Sequence, residues 1–325
     1  NTKEALQREM LKKFSKLTVH TVGDTISTIK TGDVVLVDPG VLGKAPLVDL
    51  SETEQVLLVS PFDVIMIGNM EYPFISCKCI TYGRVGTLEE SIESFLKQDY
   101  PADKCELIIV NDYALQTLVY DHPQVKVVNL VKTFETIGEK ENYATELCQG
   151  DIICQWDDDD IALPHHLKNV AKYMTEEVNI LHWQIGVLCH ITGIEQVGWI
   201  GNSGLVFRKV AWKAIGGHPL ENAGYDMTFI ERLHKHGGRL FATPPKEEAS
   251  WFYMWGGRGY HMSGEGTDHP KKLNAIQRHS AHIESERRLG KVPTGEVQLN
   301  PHWDKDYSEL LKTYLKWHIQ NKEHS

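Results

Sequence analysis

Apolar residues recur at two periods along this chain. Ala5, Leu6, Met10, Leu11, Phe14 and Leu17 fall at helical intervals over residues 3–17, which predicts an amphipathic helix. Short apolar pieces at 18–22, 34–37 and 56–59 read as strands, the second ended by Asp38-Pro39-Gly40. From residue 75 strand-like and helix-like segments alternate. Strands are expected at 75–82, 107–110, 125–130 and 151–156. Thr87-Leu88-Glu89-Glu90 has the form of a capping box and predicts a helix with Leu88, Ile92, Phe95 and Leu96 on its apolar face. A second helix is expected over 143–148, with 138–142 as a loop before it. Short apolar strands separated by helices imply a parallel α/β sheet, in which ligands bind at the carboxyl ends of the strands. The polar residues at those ends are Thr81, Tyr82 and Arg84, then Asn111 and Asp112, then the run Asp157-Asp158-Asp159-Asp160.

Beyond the sheet, the glycine-punctuated segment 201–217 leads to 221–233, where a helix should begin near Tyr225 with Met227, Ile230 and Leu233 anchoring one face. Segment 251–266 is aromatic and glycine-rich, and the remainder from about 268 is polar and helical, with a stripe at Tyr307, Leu310, Leu311, Tyr314 and Leu315. Three parts follow: a small N-terminal α+β accessory region (1–74), a central α/β domain (75–268) and a helical C-terminal extension (269–325).

At 325 residues and 41% hydrophobic content the chain can bury a substantial core. A formal net charge of −10 argues against a nucleic-acid partner, which needs basic patches to displace counterions. Cys77, Cys79, Cys105, Cys148, Cys154 and Cys189 show no CxxC spacing and read as reduced core thiols. No apolar run approaches the ~20 residues of a membrane span. A cytoplasmic location is expected, with the parent chain or the acceptor as a route to peripheral contact at the inner membrane face. The chain begins at Asn1, so further domains of a longer parent are expected.

Four adjacent aspartates repel one another unless something neutralises them. A divalent cation would, and carboxylate oxygens select magnesium, manganese or calcium. The spacing does not fit an EF-hand, and a nitrogen ligand from His261 would favour manganese. The competing reading is a solvated acidic turn ahead of a helix. A metal at a strand end suggests a phosphate ligand, yet the chain has no GxxxxGK[ST] loop and no GxGxxG after its first strand. A magnesium or manganese ion holding a nucleotide diphosphate remains, and it suits displacement at a sugar carbon.

Residues 75–167 resemble the nucleotide-binding half of a family 2 glycosyltransferase with the GT-A fold. Thr81-Tyr82-Gly83-Arg84 resembles the family's TYNR, Gln98-Asp99-Tyr100-Pro101 its QxYP, Ile108-Ile109-Val110-Asn111-Asp112 its IIVDD, and Gly138-Glu139-Lys140-Glu141-Asn142 its GxKRN. Trp156 to Asp160 resembles the WDDDD form of its DxD motif. The resemblance implies Thr81, Tyr82, Arg84 and Asp112 around base and ribose, Lys140 and Asn142 near the nucleotide, and Asp158 near the ribose. It implies Asp157, Asp159 and His261 on Mn2+ or Mg2+, and Asp226 as catalytic base. Gly83 stands in place of Asn and Glu141 in place of Arg, and the QxxRW of processive synthases is absent. The expected activity is inverting transfer of a sugar from a UDP- or GDP-linked donor to a glycan, lipid-linked or other hydroxyl acceptor, in glycan or polysaccharide synthesis. Trp199, Trp251 and Trp255 are candidates to stack on sugar faces. The alternatives are a sugar-phosphate nucleotidyltransferase and an inactive glycan-binding module. Each site residue also has an ordinary structural reading: Asp112 as a turn residue, Asp226 as a charge at a helix N-terminus.

Overall fold

The computed structural model describes residues 72–175, 202–237, 250–255 and 275–310, short stretches at 19–21, 34–36, 55–59, 64–68, 180–181, 186–189 and 193–196, and positions 178, 248 and 312. The helix expected over 3–17 and His261 lie outside the described residues.

The chain divides into two compact units, Asn1–Glu71 and Tyr72–Ser325. The first contains one sheet of β1 (Val19–Thr21), β2 (Val34–Leu36), β3 (Gln55–Val59) and β4 (Val64–Gly68), in that order. The last two strands pair antiparallel, and β4 was not among the expected strands.

The second unit runs β5 (Ile75–Thr81), α1 (Val85–Leu96), β6 (Cys105–Asn111), β7 (Gln116–Val119), β8 (Val125–Asn129), α2 (Ile137–Leu147), β9 (Ile152–Gln155), β10 (Ile161–Ala162) and α3 (His166–Tyr173). It continues with β11 (Ile180–Leu181), β12 (Gly186–Cys189), β13 (Gly193–Gln196), β14 (Val206–Arg208), α4 (Lys209–Ala214), α5 (Tyr225–Gly237), β15 (Trp251–Trp255), α6 (Ala275–Arg288) and β16 (Gly295–Gln298). The main sheet has the order β11-β14-β9-β5-β6-β8. Strands β9, β5, β6 and β8 are parallel, and β14 and β11 add an antiparallel edge. This is the mixed α/β, mostly parallel architecture that the alternating pattern predicts. A smaller sheet, β10-β15-β12-β13, stands beside it.

Period-two alternation distributes the core over both faces of the main sheet. Ile75, Cys77, Cys79, Leu107 and Ile109 face one cluster with Leu88, Ile92 and Phe95 of α1 and Leu167 and Val170 of α3. Ile108, Val110 and Ile153 face the other, with Ala144 of α2 and Phe229, Ile230 and Leu233 of α5. Met227, expected to anchor α5, is 48% exposed, and Phe229 takes that place. Cys77, Cys79, Cys105, Cys148 and Cys154 are buried and free, as expected of core thiols.

Strand β5 carries two polar residues on its second face, and each meets an acid. Ser76 donates to Glu106 Oε1 at 2.6 Å. Lys78, fully buried, forms an ion pair with the equally buried Glu141 of α2. Glu141, where the family pattern has Arg, is therefore neutralised from the sheet.

Two helix starts differ from expectation. Helix α1 begins at Val85 with Arg84 as its N-cap, so Thr87 lies inside the first turn and donates to the Arg84 carbonyl at 3.2 Å. The turn at Gly83 (φ +71°) redirects the chain ahead of the apparent capping box. The working cap stands at Thr136, whose Oγ1 accepts from the Glu139 N–H at 3.1 Å. Residues 138–142 are consequently helical and not a loop.

Candidate active site

Strand β9 ends at Gln155, and the four aspartates follow at the carboxyl end of the parallel strands. They do not act as one cluster. Asp160 is buried and takes three donors: Ser203 Oγ at 2.5 Å, Met254 N at 2.9 Å and Trp251 Nε1 at 3.2 Å. It fastens the acidic turn to β15, and Trp251, 2% exposed, is a core residue and not a free sugar platform. Trp199 and the Trp255 side chain lie outside the described residues.

In the rest of the turn Asp158 is buried, and Asp157 and Asp159 are partly exposed. Asp157 Oδ1 accepts from Gln155 Nε2 at 2.7 Å, and its carbonyl accepts from Ser91 Oγ at 2.8 Å. Arg84, at the start of α1, forks onto both oxygens of Asp158 and reaches Asp159 Oδ2 at 2.6 Å through Nη1. One guanidinium thus faces three adjacent carboxylates. Burial and the neighbouring acids push the Asp157 carboxyl well up. Burial raises Asp158 to about 6 despite Arg84, and burial with Asp159 raises Asp160 to about 7. The turn therefore carries more negative charge than its surroundings compensate. Among the described residues no three acidic, histidine or cysteine side chains already converge as a metal-binding group. The hard-oxygen donors and unbalanced charge nonetheless fit a divalent cation.

These shifts give a sign for stability against pH. Asp158 and Asp160 bind protons more tightly folded than unfolded, so their contribution is full below about 3.8 and is lost as pH rises through about 6 and about 7. Buried His166 and His279, each pushed down to about 3 chiefly by burial, act oppositely, but only below their unfolded value of 6.5. In chelator the thermal midpoint is therefore expected to fall between pH 6.5 and 8, and manganese should reduce that fall. A midpoint that rises over this interval in chelator would contradict the charge reading.

Arg84 also lines a cavity bounded by Ile80, Thr81, Tyr82, Asp112, Ile137 and Lys140. Lys140, on the first half of α2, forms an ion pair with Asp112 and donates to the Thr81 carbonyl at 2.7 Å. Asp112 Oδ2 accepts from Phe134 N at 3.0 Å. The Tyr82 ring lies 4.8 Å from Tyr113 and 5.6 Å from His279, measured between centroids. Thr81, Tyr82, Arg84, Asp112, Asp158 and Lys140 are thus brought together. Asn142 does not line this cavity: its Oδ1 accepts from Trp212 Nε1 at 3.0 Å and His218 N at 2.7 Å, which holds the 212–218 segment.

Asp226 lies in the first turn of α5, half-buried. Its neighbour Tyr225 donates to Glu141 Oε1 at 3.5 Å, and that oxygen also accepts from Asn202 at 3.1 Å and Gln155 at 3.4 Å. Burial, then the charges of Glu141 and Asp157, push the Tyr225 phenol up. The Lys78–Glu141 pair is the hub of this network, and nothing in the sequence flagged Lys78, Asn202 or Tyr225. The cavity-lining residues of α6 were likewise missed.

Known proteins resemble part of this chain. Residues 78–197 match the family model described as Glycosyl transferase family 2. This part of the chain is thus similar to family 2 glycosyltransferase sequence. The uncharacterized glycosyltransferase YwdF of Bacillus subtilis (strain 168) is 31% identical over 112 residues, 33% of this chain and 40% of that protein. The uncharacterized glycosyltransferase MJ1057 of Methanocaldococcus jannaschii is 30% identical over 122 residues, 35% of this chain and 42% of that protein. The chain thus spans about two-fifths of these relatives' length. Among solved structures, S. aureus TarS 1-349 in complex with UDP-GlcNAc aligns with a TM-score of 0.49 at 19% identity, over 60% of this chain and 62% of that one. The mannosyltransferase PcManGT of Pyrobaculum calidifontis, in complex with GDP-Man and Mn2+, aligns with a TM-score of 0.43 at 17% identity, over 69% and 67%.

Proposed function

We propose that this chain is an inverting, metal-dependent glycosyltransferase that moves a sugar from a nucleotide diphosphate sugar to an acceptor hydroxyl, in glycan or polysaccharide synthesis. One observation carries the reading: Arg84 both holds the acidic turn and lines the cavity of Tyr82, Asp112 and Lys140. A donor whose diphosphate lies beside Arg84 therefore places its nucleoside in that cavity. Asp157 and Asp159, with His261, would hold Mn2+ or Mg2+, and the ion would neutralise the charge that develops on the departing diphosphate. Thr81, Tyr82, Asp112, Lys140 and Asp158 bind and orient the nucleoside, with Asn142 bracing the segment that follows α4. Asp226 takes the proton of the acceptor hydroxyl as its oxygen bonds to the anomeric carbon and the bond from that carbon to the diphosphate breaks. Attack from the face opposite the leaving group inverts that carbon. Residues 1–74 are an accessory region outside the donor site, and 269–325 extend the catalytic domain.

Incubation with a panel of UDP- and GDP-linked sugars, manganese and simple glycan acceptors tests the proposal. Release of nucleoside diphosphate that depends on both metal and acceptor is expected. Release of pyrophosphate from a nucleoside triphosphate and a sugar phosphate would favour a nucleotidyltransferase. Glycan binding without either reaction would favour an inactive module. A chain starting at Tyr72, the first residue of the second compact unit, should keep donor binding. Loss of that binding from a folded protein would refute the accessory role of the first region.

A further inference from the structure

Helix α6 lies outside the 78–197 segment that matches the family model, yet Ile276, His279 and Ser280 line the cavity. With Ile283 they occupy positions i, i+3, i+4 and i+7 of one helical face. An imidazole and a hydroxyl occupy the two central positions of this face. The helix is held in place from its C-terminal half onward. Ile283 packs with Tyr113 and Val292, and Tyr82 packs against them. Downstream, β16 pairs with β7, and Gln116 Nε2 donates to the Pro293 carbonyl at 2.9 Å. Gly83 shows how close α6 comes: a Cβ there would stand 2.7 Å from Ile283 Cγ2. Asn, the residue of the family pattern at this place, tolerates a positive φ, but it would meet α6.

We infer that α6 is the wall of the donor site against which the nucleobase rests, Ile276 meeting its face and His279 and Ser280 its polar edge, so that these residues set which base is accepted. The inference rests on the reading of this cavity as the donor site. Arg84 fixes the diphosphate end of a donor beside the acidic turn, which leaves the nucleoside among Ile80, Tyr82, Ile137 and α6. Apolar walls suit a flat heterocycle but discriminate weakly between bases. Groups that hydrogen-bond one edge reject a base lacking the matching donors and acceptors.

The full chain and its Ile276→Trp and Ser280→Ala variants are titrated by calorimetry with UDP, GDP, ADP and CDP in manganese, alongside thermal unfolding. Ile276→Trp is expected to weaken the best-bound nucleotide at least about tenfold by occupying the base's space. Ser280→Ala should change the ratio of affinities among the bases severalfold at an undiminished unfolding midpoint. Wild-type affinities and ranking in both folded variants overturn the inference. If Ile276→Trp fails to fold, Ser280→Ala decides alone, because alanine is the better helix former. A wild-type chain that binds none of the four nucleotides overturns the donor reading itself, which tells the two failures apart.

Discussion

Asp226→Asn is expected to leave donor binding intact and to lower sugar transfer by about 10²–10⁴-fold, the usual contribution of a general base. Asn keeps the shape of the side chain and removes its basicity. The position is suited to the test. Asp226 is half-buried in the first turn of α5, and the core contacts of that helix come from Phe229, Ile230 and Leu233. Packing is thus untouched by the change. If Asp226 serves only as a charge at the helix N-terminus, stability falls by about 0.3–1 kcal/mol and turnover stays near wild type. Measuring kcat with saturating donor beside the unfolding midpoint separates the outcomes. Wild-type turnover would move attention to Glu221 or Glu231.

Asp159→Ala is expected to abolish the manganese dependence of nucleotide affinity while the protein stays folded. The loss of one metal ligand leaves the diphosphate charge uncompensated. The fold keeps its main tie at this turn, because Arg84 retains its fork on Asp158. Calorimetric titration of the nucleotide with and without manganese gives the answer, and an unchanged manganese-dependent affinity refutes the assignment. Asp160→Ala is not an equivalent experiment. That carboxylate takes donors from Ser203, Trp251 and Met254, so its removal strands buried polar groups and any lost activity would report on folding.

The strands of the main sheet were legible as short apolar runs, because a strand buried on both faces is apolar at successive positions, and the structure sends alternate residues to opposite faces. Leu107 to Val110 show it in four consecutive residues, odd positions in one core cluster and even positions in the other. Helix starts were less legible. The pattern T-x-x-E occurs at 87–90 and at 136–139, and only the second caps a helix. Ahead of the first lies the left-handed turn at Gly83, closely approached by Ile283 of α6, a contact invisible to a local reading. The antiparallel edge of β14 and β11 escaped notice for a related reason: strands of two or three residues have too few positions to show a period.

In the candidate site, the residues that follow strands in one recognisable order could be read from sequence, since topology delivers strand ends to one edge of the sheet. Asp112, Arg84, Lys140 and Asp158 meet there. The α6 residues could not be read in the same way. They come from more than 150 residues downstream of the first strand, and their helical spacing is ordinary until the cavity beside it is seen.

The Lys78–Glu141 pair bears on how this chain can be changed. Family-averaged design would restore Arg at 141, because that is the commoner letter in the pattern. In this background the new cation would meet Lys78 in a space where both side chains are fully buried. The two positions are expected to be coupled, because each side chain neutralises the other, although 63 positions separate them. Recombination between this chain and a relative with the opposite pairing would have to carry both positions on one fragment. The permissible crossover points are therefore those outside 78–141, a rule that position-by-position averaging does not contain.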